Sequence, residues 1–356
     1  MKSKGRFGMN RKVIGTEIKK GQGLGNQLFC YVTVRSIAQK KGYEFSILNR
    51  ELLDSTLKGK AEESFLQLDY GVDCNEVVWN NKYTEKEERL YCGNSKHDIE
   101  YGAYIAGADA DITEVTTGTL IEGNMQSPEY FEEYREDIKK WLAVKPFYDD
   151  KEFYKDNLCI LNIRAGEYCG SPELYLRRKY WLDAMKNMKK LRKDMEFMIV
   201  TDSAKDANRI LPGIPAYHFE LCKDYVTIKN AKYLIISNSS FAFFPAYTSE
   251  TVEYIIAPKY WARHNVSNGY WSSEQNIYNE FMYQDRHGRL FSADECKKEL
   301  QEYKEHSKAY LKKNQKPDVK RLKLLKMQMR FRRIIYKYEK IRNAIIRRMK
   351  EKQYGI

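Results

Sequence analysis

Apolar positions fall into two textures along this chain. In the second half they gather into short continuous runs, Leu158-Cys-Ile-Leu-Asn-Ile163 and Phe197-Met-Ile-Val-Thr201, the pattern of strands buried on both faces of a parallel sheet. Helical spacing follows each run, over Tyr180–Lys193 and Asp206–Leu211, the latter stopped by Pro212-Gly213. Asp224–Lys232 and Phe241–Ser249 read as further helices, and Tyr233–Ser237 and Tyr254–Ala257 as further strands. Strands alternating with helices through short connections predict a doubly wound sheet. The first half opens in the same way. A strand over Val13–Lys19 is followed by a glycine-rich turn, Gly21–Gln27, a helix over Leu28–Lys41 that Gly42 ends, and a strand over Glu44–Leu48. Residues 50–150 give weaker signals, of which a helix over Tyr130–Leu142 is the clearest. The expectation is an α/β fold of two Rossmann-type domains facing each other across a cleft. The N-terminal domain covers 1–150, the second 151–290, and a helical extension 291–356.

Charge separates that extension from the body. Val319–Lys352 holds fourteen Lys/Arg against Glu339 and Glu351, a local balance of +12, whereas the rest holds 48 basic and 47 acidic residues. Leu322, Leu325, Met329, Ile334, Tyr338, Ile341, Ile345 and Met349 recur through it at helical spacing. A basic amphipathic helix of this kind lies on anionic lipid, and 319–352 is expected to make peripheral membrane contact. Packing on its own domain and tracking nucleic-acid phosphates are the alternatives. A near-neutral body gives no reason to expect nucleic acid.

Seven cysteines without a C-x-x-C and five scattered histidines exclude a disulfide framework and a zinc cluster, so no protein-bound metal is expected. No apolar run approaches the roughly 20 residues that cross a bilayer, and no secretory signal opens the chain. A cytoplasmic protein, peripheral at the inner face of the membrane, is the expected setting.

Three clusters carry candidate chemistry. Gly21-Gln-Gly23-Leu-Gly25-Asn26-Gln27 matches neither the dinucleotide fingerprint nor the P-loop, leaving glycines that admit close backbone approach at a helix N-terminus. Asn162-Ile-Arg164-Ala-Gly-Glu167-Tyr168 lies where a buried strand ends, the place where open α/β sheets bind ligands. Arg164 there can form a charge-assisted fork to a phosphate, or simply pair with Glu167. Asp224 opens one expected helix, and Ser240, in Ser237-Asn-Ser239-Ser240-Phe241, opens the next. Their hydroxyl and carboxylate suit a diphosphate and a guanine N1–H/N2–H edge, or they are plain N-caps. Asp109-Ala-Asp111 has the D-x-D form of metal-dependent transferases but no preceding apolar strand, and reads as a surface turn.

In this order the clusters resemble the GDP-fucose-dependent bacterial α-1,2-fucosyltransferases. Gly21-Gln-Gly-Leu-Gly-Asn-Gln-Leu-Phe-Cys-Tyr31 is similar to that family's G-G-L-G-N-Q-[ML]-F-Q-Y, and Asn162–Tyr168 to its H-x-R-R-G-D-Y. Asp224 through Asn238-Ser-Ser-Phe-Ala-Phe-Phe244 is similar to its D…N-S-S-F-[SA]-W-W, and Ala257-Pro-Lys-Tyr-Trp261 to A-P-x-x-W. Asn162 stands for the family's histidine, Ala165 for its second arginine and Glu167 for its aspartate. The resemblance covers roughly residues 13–262. It implies a GT-B-like fold and an inverting, metal-independent transfer of fucose from GDP-fucose to a hydroxyl of a glycan acceptor, lipid-linked acceptors included, in surface polysaccharide synthesis. No cofactor is implied beyond the donor. Arg164 would offset the leaving β-phosphate, Asp224 would hold guanine and Ser240 the diphosphate. Asn162, Ser239, Phe241, Gly23 and Gly25 would line the donor, and Asn26 would sit near the reacting centre. Glu167 is the candidate general base. Transfer of another GDP-sugar, and GDP-sugar binding without turnover, are the alternatives.

Overall fold

The run Leu158–Ile163 forms β5, buried at all six positions, in the middle of the larger of two sheets. The computed structural model describes residues 11–86, 108–170, 174–265, 271 and 276–306 (Glu167, Gly170, Tyr303, Lys304 and His306 by backbone only), with nine positions of the tail between Lys323 and Ile345.

The first unit carries β1 (Val13–Glu17), α1 (Leu24–Lys41), β2 (Glu44–Leu48), α2 (Arg50–Lys58), β3 (Asn81–Thr84) and β4 (Thr119–Glu122), with α3 (Arg135–Trp141) closing it. Its sheet runs β2-β1-β4-β3, parallel throughout. The second unit adds α4 (Arg178–Leu191), β6 (Glu196–Thr201), α5 (Ala204–Ile210), β7 (Ala216–Tyr217), α6 (Leu221–Lys229), β8 (Tyr233–Ile236) and α7 (Phe243–Tyr247). It ends with β9 (Tyr254–Pro258), β10 (Met282–Gln284), β11 (Leu290–Phe291) and α8 (Ala293–His306). Its order is β11-β10-β9-β8-β5-β6-β7, parallel except for β11. Two Rossmann-type units are what the alternating pattern predicts, and their GT-B-like pairing is what the motif resemblance implies. The helical extension expected from residue 291 begins inside the second unit, since α8 buries Ala293, Cys296 and Leu300 in its core.

Each sheet has one switch point, where chain order reverses and a crevice opens beyond the carboxyl ends of the strands. In the first it lies between β1 and β4, in the second between β5 and β8. One hydrophobic core runs through both units. Phe29 of α1 stacks on Phe243 of α7 at 4.8 Å between ring centres and meets Phe244 at 4.7 Å, and Tyr278 closes on Phe243 at 4.2 Å.

Three helix boundaries depart from the periodicity. Helix α1 begins at Leu24 instead of Leu28, so Gly25 and Asn26 lie within a helix and not in a turn. Both are weak helix formers, and packing across the seam overrides their preference. The segment from Tyr130 is helical only over Arg135–Trp141, because Phe131 takes φ −145° to bury its ring and splits the start into two short 3₁₀ turns. Helix α6 begins at Leu221, which makes Asp224 its fourth residue and not its cap.

Candidate functional site

The crevice of the second sheet is built by the loops leaving β5, β6 and β8. Asn162, next to last in β5, is buried; its Nδ2 donates to Val200 O of β6 at 3.5 Å and its Oδ1 accepts from Ser237 Oγ at 3.4 Å. It ties the central strand to both neighbours. Arg164, about one-third exposed, extends beyond the strand end and pairs with Asp202 at 3.3 Å. Asp202 also gathers the β5 loop, because its Oδ1 accepts from Ala165 N at 2.7 Å and Gly166 N at 3.1 Å. Gly166 is required for that approach, since a Cβ there would fall 2.7 Å from Asp202 Oδ2. The Asp202 carboxylate therefore fixes both the backbone and the guanidinium of this loop. A half-neutralised arginine aimed into a crevice suits a ligand bearing phosphate.

Asp202 escaped the reading of the sequence, although Thr201-Asp202-Ser203 ends the second apolar run as Arg164 ends the first. The second arginine of the motif that Asn162–Tyr168 resembles has no counterpart here. Ala165 is fully buried in the core under α4, where a long cation would not fit without moving the loop.

Across the crevice Asp224 is buried, accepting from Phe219 N at 3.1 Å, with His218 Nδ1 at 3.6 Å. Burial, reinforced by the negative charge of Asp202 and only partly opposed by the Phe219 hydrogen bond, pushes its carboxyl up to about 7. A carboxyl poised near neutrality in the wall of a crevice that Arg164 also lines is the usual mark of a ligand site. Asn162, Arg164, Asp202, His218, Asp224, Ser239 and Phe241 surround a cavity of about 140 Å³. His218 and Leu221 also line a neighbouring cavity of about 710 Å³ between the units, walled by Phe65, Tyr148 and Phe219. The smaller space, lined by both Arg164 and Asp224, suits a phosphate and the polar edge of a base, and the larger has room for the rest of the base with its ribose.

The structure does not gather all the expected residues here. Ser239, not Ser240, caps the 3₁₀ turn leading into α7, its Oγ accepting from Phe241 N at 3.4 Å, and Ser239 is the serine that lines the cavity. The Ser240 backbone presses instead on Gly25, where a Cβ would fall 2.3 Å from its carbonyl carbon and oxygen and 2.6 Å from Phe241 N. A Cβ on Gly23 would meet nothing within 4 Å. Asn26 accepts from Gln126 Nε2 at 3.0 Å, and Gln126 O in turn accepts from Tyr278 OH at 3.0 Å. The glycine-rich segment thus forms the seam between the units, outside the cavity wall. Glu167 lies on the 3₁₀ turn after β5, and its side chain is outside the described residues.

The D-x-D segment is a cap. Asp109 is buried and heads a 3₁₀ turn, accepting from Asp111 N, from Tyr83 OH at 2.6 Å and from Lys86 N at 2.8 Å, while Asp111 pairs with Lys86. With those bonds made, Asp109 holds local structure together.

No family model matches the chain, and no curated protein matches it. Among solved structures it is similar to the fucosyltransferase NodZ from Bradyrhizobium, at 14% identity over 70% of this chain and 95% of that one, with a TM-score of 0.39. It is also similar to POFUT1 in complex with GDP-fucose (12%, 70% and 99%, 0.39) and to the E. coli heptosyltransferase WaaC with ADP (10%, 84% and 99%, 0.37). Superpositions this loose do not fix a function, which has to come from the site itself.

Proposed function

We propose that the protein is an inverting glycosyltransferase that moves fucose from GDP-fucose to a hydroxyl of an acceptor glycan. The observation that carries this reading is the cavity at the switch point of the second sheet, with a larger one beside it that shares His218 and Leu221 in its wall. Arg164 and Asp202 stand at the small end, Asp224 in the wall, and an aromatic-lined space beyond. The diphosphate lies against Arg164, Asn162 and Ser239, and the guanine offers N1–H and N2–H to the Asp224 carboxylate. In the transfer, the acceptor oxygen bonds to the anomeric carbon as the bond from that carbon to the β-phosphate oxygen breaks. The electron pair leaves with GDP, where the Arg164 guanidinium offsets the charge that develops. Asp202 holds that guanidinium in place. The acceptor proton passes to a carboxylate on the opposite face, the role we give Glu167, while Asn26 orients a substrate at the seam. The α-1,2 linkage follows from the motif resemblance alone.

The test is turnover: GDP released from GDP-fucose with a panel of glycan acceptors, in the presence of EDTA. Acceptor-dependent GDP release that EDTA leaves intact supports the reading. A strict metal requirement contradicts the mechanism, and GDP binding without release under any acceptor supports a sugar-nucleotide-binding protein. Glu167→Gln separates base from scaffold. Donor binding kept with transfer lost, and turnover restored by azide, assigns the base, whereas transfer within a few-fold of wild type removes it.

A further inference from the structure

The tail supplies a surface that the transfer reading does not use. Nine of its positions between Lys323 and Ile345 are described, and all nine are helical and exposed. Seven carry large apolar side chains: Leu324, Met327, Phe331, Ile334, Tyr338, Ile341 and Ile345, with exposures from 42% to 67%. The spacing of these seven described positions alternates three and four residues, which on an α-helix places them in one stripe. Lys323 and Arg330 stand among them. Body helices behave differently: α4 buries Tyr180, Trp181, Ala184 and Met188 on its inner face. The stripe at the described positions is therefore not packed on the protein's own domain.

We infer that this helix lies in the headgroup layer of an anionic lipid bilayer, apolar stripe inward and basic flanks toward the phosphates. Charge selects the occupant. The tail carries +12 in Val319–Lys352 while the remaining chain is close to neutral, so a second copy of the helix would bring like charge against like charge. Nucleic acid would satisfy the basic residues and leave Phe331, Ile334 and Ile341 in water. An anionic membrane uses both features, as apolar burial adds to the attraction of Lys and Arg for acidic headgroups. The helix lies along the surface and does not cross it, because fourteen Lys/Arg in Val319–Lys352 would otherwise be carried into the hydrocarbon.

Flotation of the full chain with vesicles tests this without reference to any donor. Binding to vesicles in which a third of the lipid is phosphatidylglycerol is expected to exceed binding to pure phosphatidylcholine by at least about tenfold, and to fall as salt is raised. The double variant Ile334→Asp/Ile341→Asp is expected to abolish it, and Lys323→Glu/Arg330→Glu to weaken it. Melting of the body should stay unchanged in both, since these positions are exposed. Equal binding to both vesicles overturns the inference, as does anionic binding that the apolar variant leaves intact. A lipid-free dimer in sedimentation that Ile334→Asp/Ile341→Asp dissolves would make the stripe a zipper between two copies and equally overturn it.

Discussion

The two switch points obey one topological rule and end in opposite states. Beyond β1 and β4 the crevice is filled: Gly25 takes the Ser240 backbone, Asn26 takes Gln126, and Phe29 takes the rings of α7. Beyond β5 and β8 it stays open, and the groups around it are ionisable. The motif with the fuller resemblance to the fucosyltransferase pattern therefore sits where one half of the molecule is fitted to the other. The motif with three departures sits where ligand chemistry is possible. Strict sequence follows from backbone contact, because nothing but glycine fits against a carbonyl at that distance, whereas a ligand crevice tolerates Asn162 or Ala165 provided Arg164 and Asp224 keep their places.

That contrast can be broken most forcefully at Arg164. Arg164→Ala is expected to lower transfer by about 100- to 1000-fold, since the leaving diphosphate loses its one charged partner on this loop. Arg164→Lys should recover little, because a point charge cannot form the fork. Near-normal turnover by Arg164→Ala would empty the open switch point of chemistry.

A pH titration of GDP-fucose affinity comes next in size. Both phosphates of this donor stay ionised across the range, so the change reports the protein. In the proposed binding mode guanine needs the Asp224 carboxylate, and a carboxyl titrating at about 7 is mostly protonated at pH 5.5. The dissociation constant is expected to be about 30-fold higher at pH 5.5 than at pH 8, by simple proton competition. His218 and Asp202 face the same carboxyl, so the profile should be repeated in His218→Gln. The effect on folding has the opposite sign. A carboxyl raised above its unfolded value favours the native state at low pH and loses that contribution as pH rises through 7. Asp224→Asn is therefore expected to raise the melting temperature of the ligand-free protein at pH 8 while abolishing guanine preference. A melting point that falls instead would mean the carboxylate is structural.

The smallest effects sharpen the filled side. Gly25→Ala is expected to cost about 1–3 kcal/mol in urea unfolding, because the Ser240–Phe241 backbone must move. Gly23→Ala, two residues away in open space, should stay within about 0.5 kcal/mol. Equal costs would mean that the seam is not where this segment is constrained.

Legibility in the sequence followed the same division. Strands β5, β6, β8 and β9 were readable because burial on both faces leaves an uninterrupted apolar run that only a parallel sheet explains. Strands β10 and β11, of three and two residues, leave no such signature. The start of α1 was hidden because Gly23-Leu24-Gly25 looks like a turn to any local rule, and only the contact with Ser240, more than two hundred residues away, explains the helix. The place of Asp224 inside α6 and not at its cap was hidden, since Leu221 and Cys222 ahead of it give no boundary signal. Asp202 was legible and overlooked, as the strand-end rule that singled out Arg164 applies equally to the end of β6. Its role in holding Ala165 and Gly166 is a tertiary fact.

The proposed function stands or falls on whether a guanine nucleotide binds between Arg164 and Asp224. Calorimetric titration of the wild-type protein with GDP and with UDP at pH 8 tests it most directly. Saturable binding of GDP, little or none of UDP, and loss of that difference in Asp224→Asn are the results predicted. Equal affinity for the two nucleotides, or GDP binding that Asp224→Asn leaves unchanged, would contradict it.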